Sequence, residues 1–190
     1  MRIVIDMQGA QTVSRFRGIG RYTLNFAKAL VRNRGRHEIY LTLNGLFTET
    51  IEPIRFAFDE LLPQENIRVF SASGPVSGIK PGNKYRRESA ELLREEFIES
   101  LNPDLIHISS FFEGYLDDAI LSLGKLDRTT SVSITLFDLI PLVNPEQFLS
   151  AGPGYSSFYN SKLESIKQAK LLLAISKYTK QEALDKLKIQ

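Results

Sequence analysis

Apolar residues in this chain fall into six short runs that are continuous instead of alternating with polar residues. The runs are mostly β-branched, and they lie at residues 2–7, 39–43, 67–70, 105–108, 132–136 and 171–175. Continuous apolar strands of this length are typical of a sheet that is covered on both faces. We therefore predict six buried β-strands.

The longer stretches between these runs repeat apolar residues at the spacing of an α-helix. The repeats are Ile19, Tyr22, Phe26 and Leu30; Ile54, Phe58 and Leu61; Leu93, Phe97 and Leu101; Tyr155, Phe158, Tyr159, Leu163 and Ile166; a last helix is expected over 178–187. Alternating strands and helices imply right-handed crossovers and a parallel sheet. The predicted fold is α/β, a Rossmann-like doubly wound parallel sheet with helices on both faces, formed by residues 1–190 as one lobe.

The loop between the first strand and the first helix carries the strongest candidate chemistry. Residues 8–22 include Arg15, Arg17 and Arg21 around Gly18 and Gly20. In an α/β fold this loop presents amides and the positive end of a helix to anions, so the arginines favour a phosphate site. The spacing fits neither a Walker loop nor the full dinucleotide fingerprint. A tight turn that requires glycine is the alternative.

Acidic and aromatic residues follow two later strands. Phe137 and Asp138 end the fifth strand just before Pro141, where a carboxylate would face the ligand edge of the sheet, although Asp138 could instead cap a turn. Phe112 and Glu113 follow the fourth strand, a combination that suits a sugar but also suits a buried ring and a capping acid. Both segments are candidate parts of a binding cleft.

Two long loops and one cap complete the predicted ligand edge. Residues 71–83 are rich in glycine, proline and serine with few apolar anchors, so we expect a mobile segment there. Residues 139–155 are a candidate lid or acceptor rim. Ser176 is expected to cap the helix that follows the sixth strand.

Composition narrows the classes of function. The 24 basic and 22 acidic residues leave a formal net charge of +2, so nucleic acid is not an expected partner. There is no cysteine, and the two histidines lack ligand spacing, so we predict no metal site. No apolar run approaches the roughly eighteen residues of a membrane span, and we expect a cytoplasmic protein.

Four motifs occur in a fixed order along the chain. They are Arg2-Ile3-Val4-Ile5-Asp6, Gly18-Ile19-Gly20-Arg21-Tyr22, Phe137-Asp138-Leu139-Ile140-Pro141-Leu142 and Leu173-Ala174-Ile175-Ser176-Lys177-Tyr178-Thr179-Lys180. Together they resemble the N-terminal half of family 4 retaining glycosyltransferases, and most of all the mannosyltransferases that assemble bacterial O-antigen and related surface polysaccharides. The resemblance extends over almost the whole chain.

The resemblance implies the acceptor-side lobe of a GT-B enzyme, which needs no metal and uses a nucleotide sugar such as GDP-mannose as donor. It implies a glycan or lipid-linked acceptor, a C-terminal lobe of the same protein as partner, and a location that is compatible with peripheral association at the inner face of the plasma membrane. Arg15, Arg17, Gly18, Gly20 and Arg21 would meet the donor diphosphate. Asp138 would be catalytic, and the cleft candidates are Tyr22, Phe112, Glu113, Phe137 and Ser176.

Two features depart from the family pattern. Many relatives have histidine before the aspartate of the fifth-strand motif, where this chain has Phe137, so the role of that histidine does not transfer. The second lobe is also absent after Gln190, so we expect the isolated lobe to be inactive. The alternative hypothesis is a non-catalytic Rossmann-like or flavodoxin-like module that binds a phosphate ligand.

Overall fold

Six parallel strands form one sheet in the computed structural model, which describes residues 1–126, 129–150 and 152–187. The strands are β1 (Arg2–Asp6), β2 (Glu38–Asn44), β3 (Ile67–Phe70), β4 (Leu105–Ile108), β5 (Ser131–Leu136) and β6 (Leu171–Ala174). Their order across the sheet is β3-β2-β1-β4-β5-β6, with every neighbouring pair parallel. This is the strand order of the Rossmann fold, and all six predicted strands are present.

Helices connect most of these strands. They are α1 (Gly18–Arg32), α2 (Thr48–Ala57), α3 (Lys84–Ser100), the one-turn helices α4 (Ile140–Val143) and α5 (Pro145–Phe148), α6 (Pro153–Ile166) and α7 (Lys177–Leu187). Between β4 and β5 the described residues form loops only. Among the described helices, none has both the length and the apolar character needed to span a bilayer.

Alternate strand residues pack against helices on opposite faces of the sheet. Ile5 belongs to a core that contains Ala27 of α1 and Ile54 of α2. Its neighbour Val4 packs with Ile98 of α3, and the same face farther along the sheet carries α6. Because both faces are covered, the strands are apolar on both sides, as their continuous apolar runs predicted. The doubly wound arrangement is therefore confirmed.

The predicted core face of α3 is partly correct: Leu101 is buried and Phe97 packs against the core, but Leu93 does not lie inward. Leu93, which fitted the apolar repeat, is 52% exposed, whereas Arg94 is 1% exposed and Ile98 is buried. The repeat was assigned from apolar side chains, so it included the exposed Leu93 and left out the charged Arg94, which is buried. Only a partner from another element allows a charged side chain to lie in this core.

Segment 71–83 makes contacts that its composition did not predict. Val76 is fully buried, although apolar residues are few in this segment. The backbone amides of Gly78 and Ile79 donate to the carbonyls of Gly114 and Tyr115, at 2.9 and 2.8 Å. Asp118 Oδ1 accepts from the amides of Val76 and Ser77. Composition did not reveal these anchors because they are supplied by a segment about forty residues later in the chain.

A buried ion pair joins β1 to α3. Arg94 Nε donates to Asp6 Oδ2 at 2.8 Å, and Arg94 Nη2 lies 2.6 Å from the same oxygen. Asp6 Oδ1 accepts from the Gln8 backbone amide at 2.9 Å, and the Gln8 side-chain amide also donates to this carboxylate. Gln8 exchanges hydrogen bonds with the backbone of Ile120 and accepts one from Asn44. The ends of β1 and β2, helix α3 and the loop after β4 are thus held by one polar network.

We predict that Arg94→Met lowers the free energy of unfolding by about 3–5 kcal/mol, because it leaves the Asp6 carboxylate buried without its counter-ion. Chemical denaturation measures this loss. The double variant Asp6→Asn with Arg94→Met should recover part of it, since the unpaired charge is then removed. Arg2→Met, which breaks the partly exposed pair with Glu38, is the control and should have a much smaller effect. Equal losses in the single and double variants would contradict this account.

Candidate functional site

The strand order reverses between β1 and β4, because the chain moves outward in one direction from β1 and in the other from β4. The loops that leave these two strands meet at the carboxyl edge of the sheet. Open α/β sheets bind ligands in the crevice at such a point. Glu113 lies in this crevice, where its Oε1 accepts from Ser14 Oγ at 2.8 Å and from Ser110 Oγ at 3.2 Å. Ser14 belongs to the loop after β1, and Ser110 follows β4. The crevice therefore contains a carboxylate that is held by hydroxyls from both sides.

Burial raises the pKa of the Glu113 carboxyl group above its usual value. The hydrogen bond from Ser14 opposes this shift, and the negative charge of Asp117 adds to it. A carboxyl group in this state can accept a hydrogen bond from a sugar hydroxyl or hold a proton at higher pH than a solvated glutamate. Glu113 is thus chemically equipped for binding or proton transfer.

The three arginines of the loop after β1 have different environments. Arg15 donates to the Gln11 carbonyl at 2.7 Å and pairs with Glu49 of α2 at 3.2 Å, and its guanidinium lies over the Phe16 ring. Arg17 and Arg21 are exposed, and within residues 1–126, 129–150 and 152–187 they form no ion pair. Arg17 and Arg21 are therefore available to a ligand, whereas Arg15 is already engaged.

Gly18 and Gly20 also differ. A Cβ atom at Gly20 would lie 2.3 Å from the Arg15 Cα and 2.7 Å from the Ser14 carbonyl oxygen, so α1 and the preceding turn can pack only around glycine. At Gly18 a Cβ would meet nothing within 4 Å. Arg17 caps α1 without a side-chain hydrogen bond, and Gly18, the first residue of this 15-residue helix, is exposed. Gly20 thus has a structural requirement, and Gly18 borders open space.

Tyr22 and Phe137 meet on the α1 face of the sheet. Their rings form an edge-to-face pair at 5.3 Å, and Phe26 stacks on Tyr22 at 5.7 Å. Tyr22 and Ser176 line the same groove of about 1060 Å³ beside β6. Beneath Phe26 lies His107, whose ring nitrogens contact Ser133 Oγ and Thr135 Oγ1 at 2.9 and 3.2 Å. Burial lowers the pKa of His107 to about 4, so this imidazole is neutral and structural.

Phe112 lies on the opposite face. Its ring stacks on Tyr159 of α6 at 5.0 Å, so it is separated by the sheet from Tyr22 and Phe137. The three aromatic candidates therefore do not line one common binding surface. Sequence position alone could not assign these rings to opposite faces, because Phe112 and Phe137 each follow a strand that ends at the same edge.

Asp138 and Ser176 both act as local caps. Asp138 is exposed, and its Oδ1 accepts from the Ile140 amide at 3.1 Å, at the start of α4. Its negative charge adds to the effect of burial in raising the pKa of Tyr155. Ser176 Oγ accepts from the Thr179 amide at 3.0 Å, which confirms the predicted cap of α7. Thr179 in turn donates to the Phe137 carbonyl, so the ends of β5 and β6 are linked.

Several residues that organise the site were not among the sequence candidates. Gln8 and Asn44 join the loops, and Gly9 is required because a Cβ there would lie 2.8 Å from Thr23 Oγ1. The one available signal was polarity at positions where a continuous apolar strand ends. Across the described ranges, histidine, aspartate and glutamate side chains nowhere form a group of three or more that could hold a metal ion.

The fold and the arrangement of this edge define a Rossmann-like α/β lobe whose first helix starts at the switch point of the sheet. No protein-family model matches the chain. Over 186 residues, 97% of its length, it is 33% identical to a serotype-specific mannosyltransferase WbdA of Escherichia coli, and it is 31% identical over 160 residues to another WbdA of that organism. The chain spans about a fifth of the length of these relatives, 22% and 20% respectively. The predicted resemblance to bacterial surface-polysaccharide mannosyltransferases is confirmed.

We predict that Glu113→Gln stabilises the chain at about pH 7, because it removes a carboxyl group that burial penalises when charged. Since the folded pKa is raised, the folded state holds the proton more tightly, and wild-type stability should fall as pH rises from the usual glutamate range through the raised pKa. At about pH 4 the two proteins should therefore be nearly equal in stability. Denaturation at both pH values measures this, with Glu96→Gln on the exposed side of α3 as the control. A gain that is equal at both pH values would contradict the assignment.

Proposed function

We propose that this chain is the acceptor-side lobe of a retaining, GT-B, family 4 glycosyltransferase. It would move a hexose, with mannose as the first candidate, from a nucleotide sugar such as GDP-mannose to a glycan or lipid-linked acceptor. The observation that carries the proposal is similarity to a mannosyltransferase over 97% of the chain, in a sheet with Rossmann strand order. The nucleotide would be held by a C-terminal lobe of the same protein.

Transfer breaks the bond between the anomeric carbon and the diphosphate oxygen, so negative charge grows on the departing diphosphate. Stabilisation of that charge would come from the positive end of α1, which has no side-chain cap, together with the exposed Arg17 and Arg21. Gly18 leaves room for the approach of the diphosphate. We assign these groups to the donor side of the reaction, with no metal required.

The acceptor would meet the carboxylates and aromatic rings of the same edge. Glu113 can accept a hydrogen bond from an acceptor hydroxyl, and Asp138 is exposed near Tyr155. Tyr22 and Phe137 offer an apolar surface against which a sugar ring can pack. We place the reaction in the cytoplasm, with the lipid-linked form of the acceptor at the inner face of the plasma membrane.

In the full-length parent protein we expect Arg17→Ala to lower the turnover number by about 10²-fold or more, the scale for loss of one preorganised donor to developing charge. The melting temperature should stay near wild type, because Arg17 is exposed. Arg32→Ala, at the opposite end of α1, is the matched control and should leave turnover unchanged. Full turnover in both Arg17→Ala and Arg21→Ala would show that this loop does not stabilise the donor diphosphate.

We also expect residues 1–190 alone to consume no nucleotide sugar and to bind it weakly, since most donor contacts would lie in the other lobe. The test is to compare this chain with the full-length parent across a panel of nucleotide sugars, with a lipid-linked or synthetic acceptor present. Sugar transfer by the chain alone would contradict the assignment of most donor contacts to the other lobe. A parent that consumes no nucleotide sugar, while the chain binds a phosphate ligand, would favour the alternative of a non-catalytic binding module.

A further inference from the structure

A second cleft lies between the N-terminal half of α3 and the length of α6, on the face opposite α1. Its volume is about 480 Å³, and residues from both helices and from the loop after β4 line it. Each of these two helices follows a strand that ends at the carboxyl edge of the sheet, so both helices begin at that edge. Lys84, the first residue of α3, and Gly154, in the first turn of α6, both line the cleft, so the cleft extends to that edge. None of the residues assigned above to donor or acceptor lines this cleft.

Lys162 of α6 forms part of the cleft wall and is only 6% exposed. Its Nζ donates to the Leu121 carbonyl and lies 4.7 Å and 5.3 Å from the ring centres of Phe111 and Phe158. No carboxylate of the described residues lies within ion-pair distance of it. Burial lowers the pKa of Lys162 to about 8, although the charge of Glu91 acts in the opposite direction. An anion in the cleft would offset the cost of burying this ammonium group.

The other charges of the cleft leave an excess of cations. Its basic residues are Lys84, Arg87, Lys125 and Lys162, and its acidic residues are Glu88 and Glu91. Glu91 is already paired with Lys125. Neither Lys84 nor Arg87 forms an ion pair with any side chain that the structure describes. The positive ends of α3 and α6 face the same opening, which adds to its preference for an anion.

The rest of the lining suits a saccharide. Ser157, Ser161 and Ser165 follow one another at four-residue intervals along α6, and all three line the cleft. Ser161 and Ser165 donate to backbone carbonyls within their own helix, which leaves their oxygen lone pairs to accept from ligand hydroxyls. The Phe158 ring adds a flat apolar surface. Cations at the opening, hydroxyls and an aromatic ring thus occur in one cavity.

We propose that this cleft is a binding site for a phosphate-bearing saccharide. Its phosphate lies near Lys84, Arg87 and Lys162, and its sugar ring lies along the serines of α6 and Phe158. The proposal rests on the proposed function only in treating this ligand as a part of the acceptor that lies away from the reacting hydroxyl. Binding itself requires no transfer and can be measured on this chain.

The experiment is calorimetric titration of the chain with mannose 6-phosphate, mannose and inorganic phosphate. We expect mannose 6-phosphate to bind at least about tenfold more tightly than either fragment, because only it engages both the cations and the sugar surface. Arg87→Ala and Lys84→Ala should each weaken it about tenfold, and Lys162→Met should weaken it further. Lys167→Ala, directly after the end of α6 and outside the cleft, is the control and should bind as wild type does.

Circular dichroism melting of each variant shows whether a loss of binding is a loss of folding. If Lys162→Met does not fold, the test rests on Lys84→Ala and Arg87→Ala, the two rim variants. Absence of binding by wild type, or binding that is unaffected by both rim variants, would overturn the proposal. Equal affinity for inorganic phosphate and mannose 6-phosphate would also overturn it, since the cleft would then recognise only an anion. A full-length parent that transfers no sugar, with cleft binding intact, contradicts the proposed function alone.

Discussion

The pairing of Asp6 with Arg94 is the constraint on which the carboxyl edge depends. A carboxylate and a guanidinium that are each about 1% exposed can be tolerated only if they satisfy one another and the surrounding polar groups. Gln8 completes that requirement, because it binds the Asp6 carboxylate and the backbone of Ile120 together. The ion pair thereby determines where the loops after β1 and β4 lie, and these loops form the candidate site.

The loop after β1 combines a rigid part and an accessible part. Gly20 allows the preceding turn to pack directly on α1, and Arg15 is held by Glu49. Gly18 and Arg17 are exposed on this support, at the start of α1. A preorganised helix start with exposed cations is a suitable arrangement for a phosphate, because little reorganisation is needed when the anion arrives.

Each face of the sheet carries its own cavity. On the α1 face, Tyr22 pairs with Phe137 and lines a groove of apolar residues and lysines beside β6. On the α3 and α6 face, a cationic cleft with serine hydroxyls extends to the carboxyl edge. Glu113 lies at the switch point, where the loops that follow β1 and β4 meet. The proposed acceptor surface and the proposed saccharide cleft therefore lie on different faces of the same lobe.

The sequence by itself determined the secondary structure and its class. Continuous β-branched runs identify six strands, and the helical spacing of apolar residues identifies the main helices, because these signals lie within a few neighbouring residues. It also identified the residues at the switch-point edge, since that edge follows from strand order in this fold class. The sequence also predicted Ser176 as a helix cap, because its partner Thr179 is only three residues away.

Only the tertiary structure decided which charged and polar residues are buried and what they contact. Arg94 is indistinguishable in sequence from the exposed charges of α3, and its burial depends on Asp6, 88 residues away. Glu113 is held by Ser14 from a distant loop, and Lys162 is buried by aromatic rings that include Phe111. The free energy of a buried charge depends on partners brought together by folding, and a pattern of neighbouring residues contains no record of those partners.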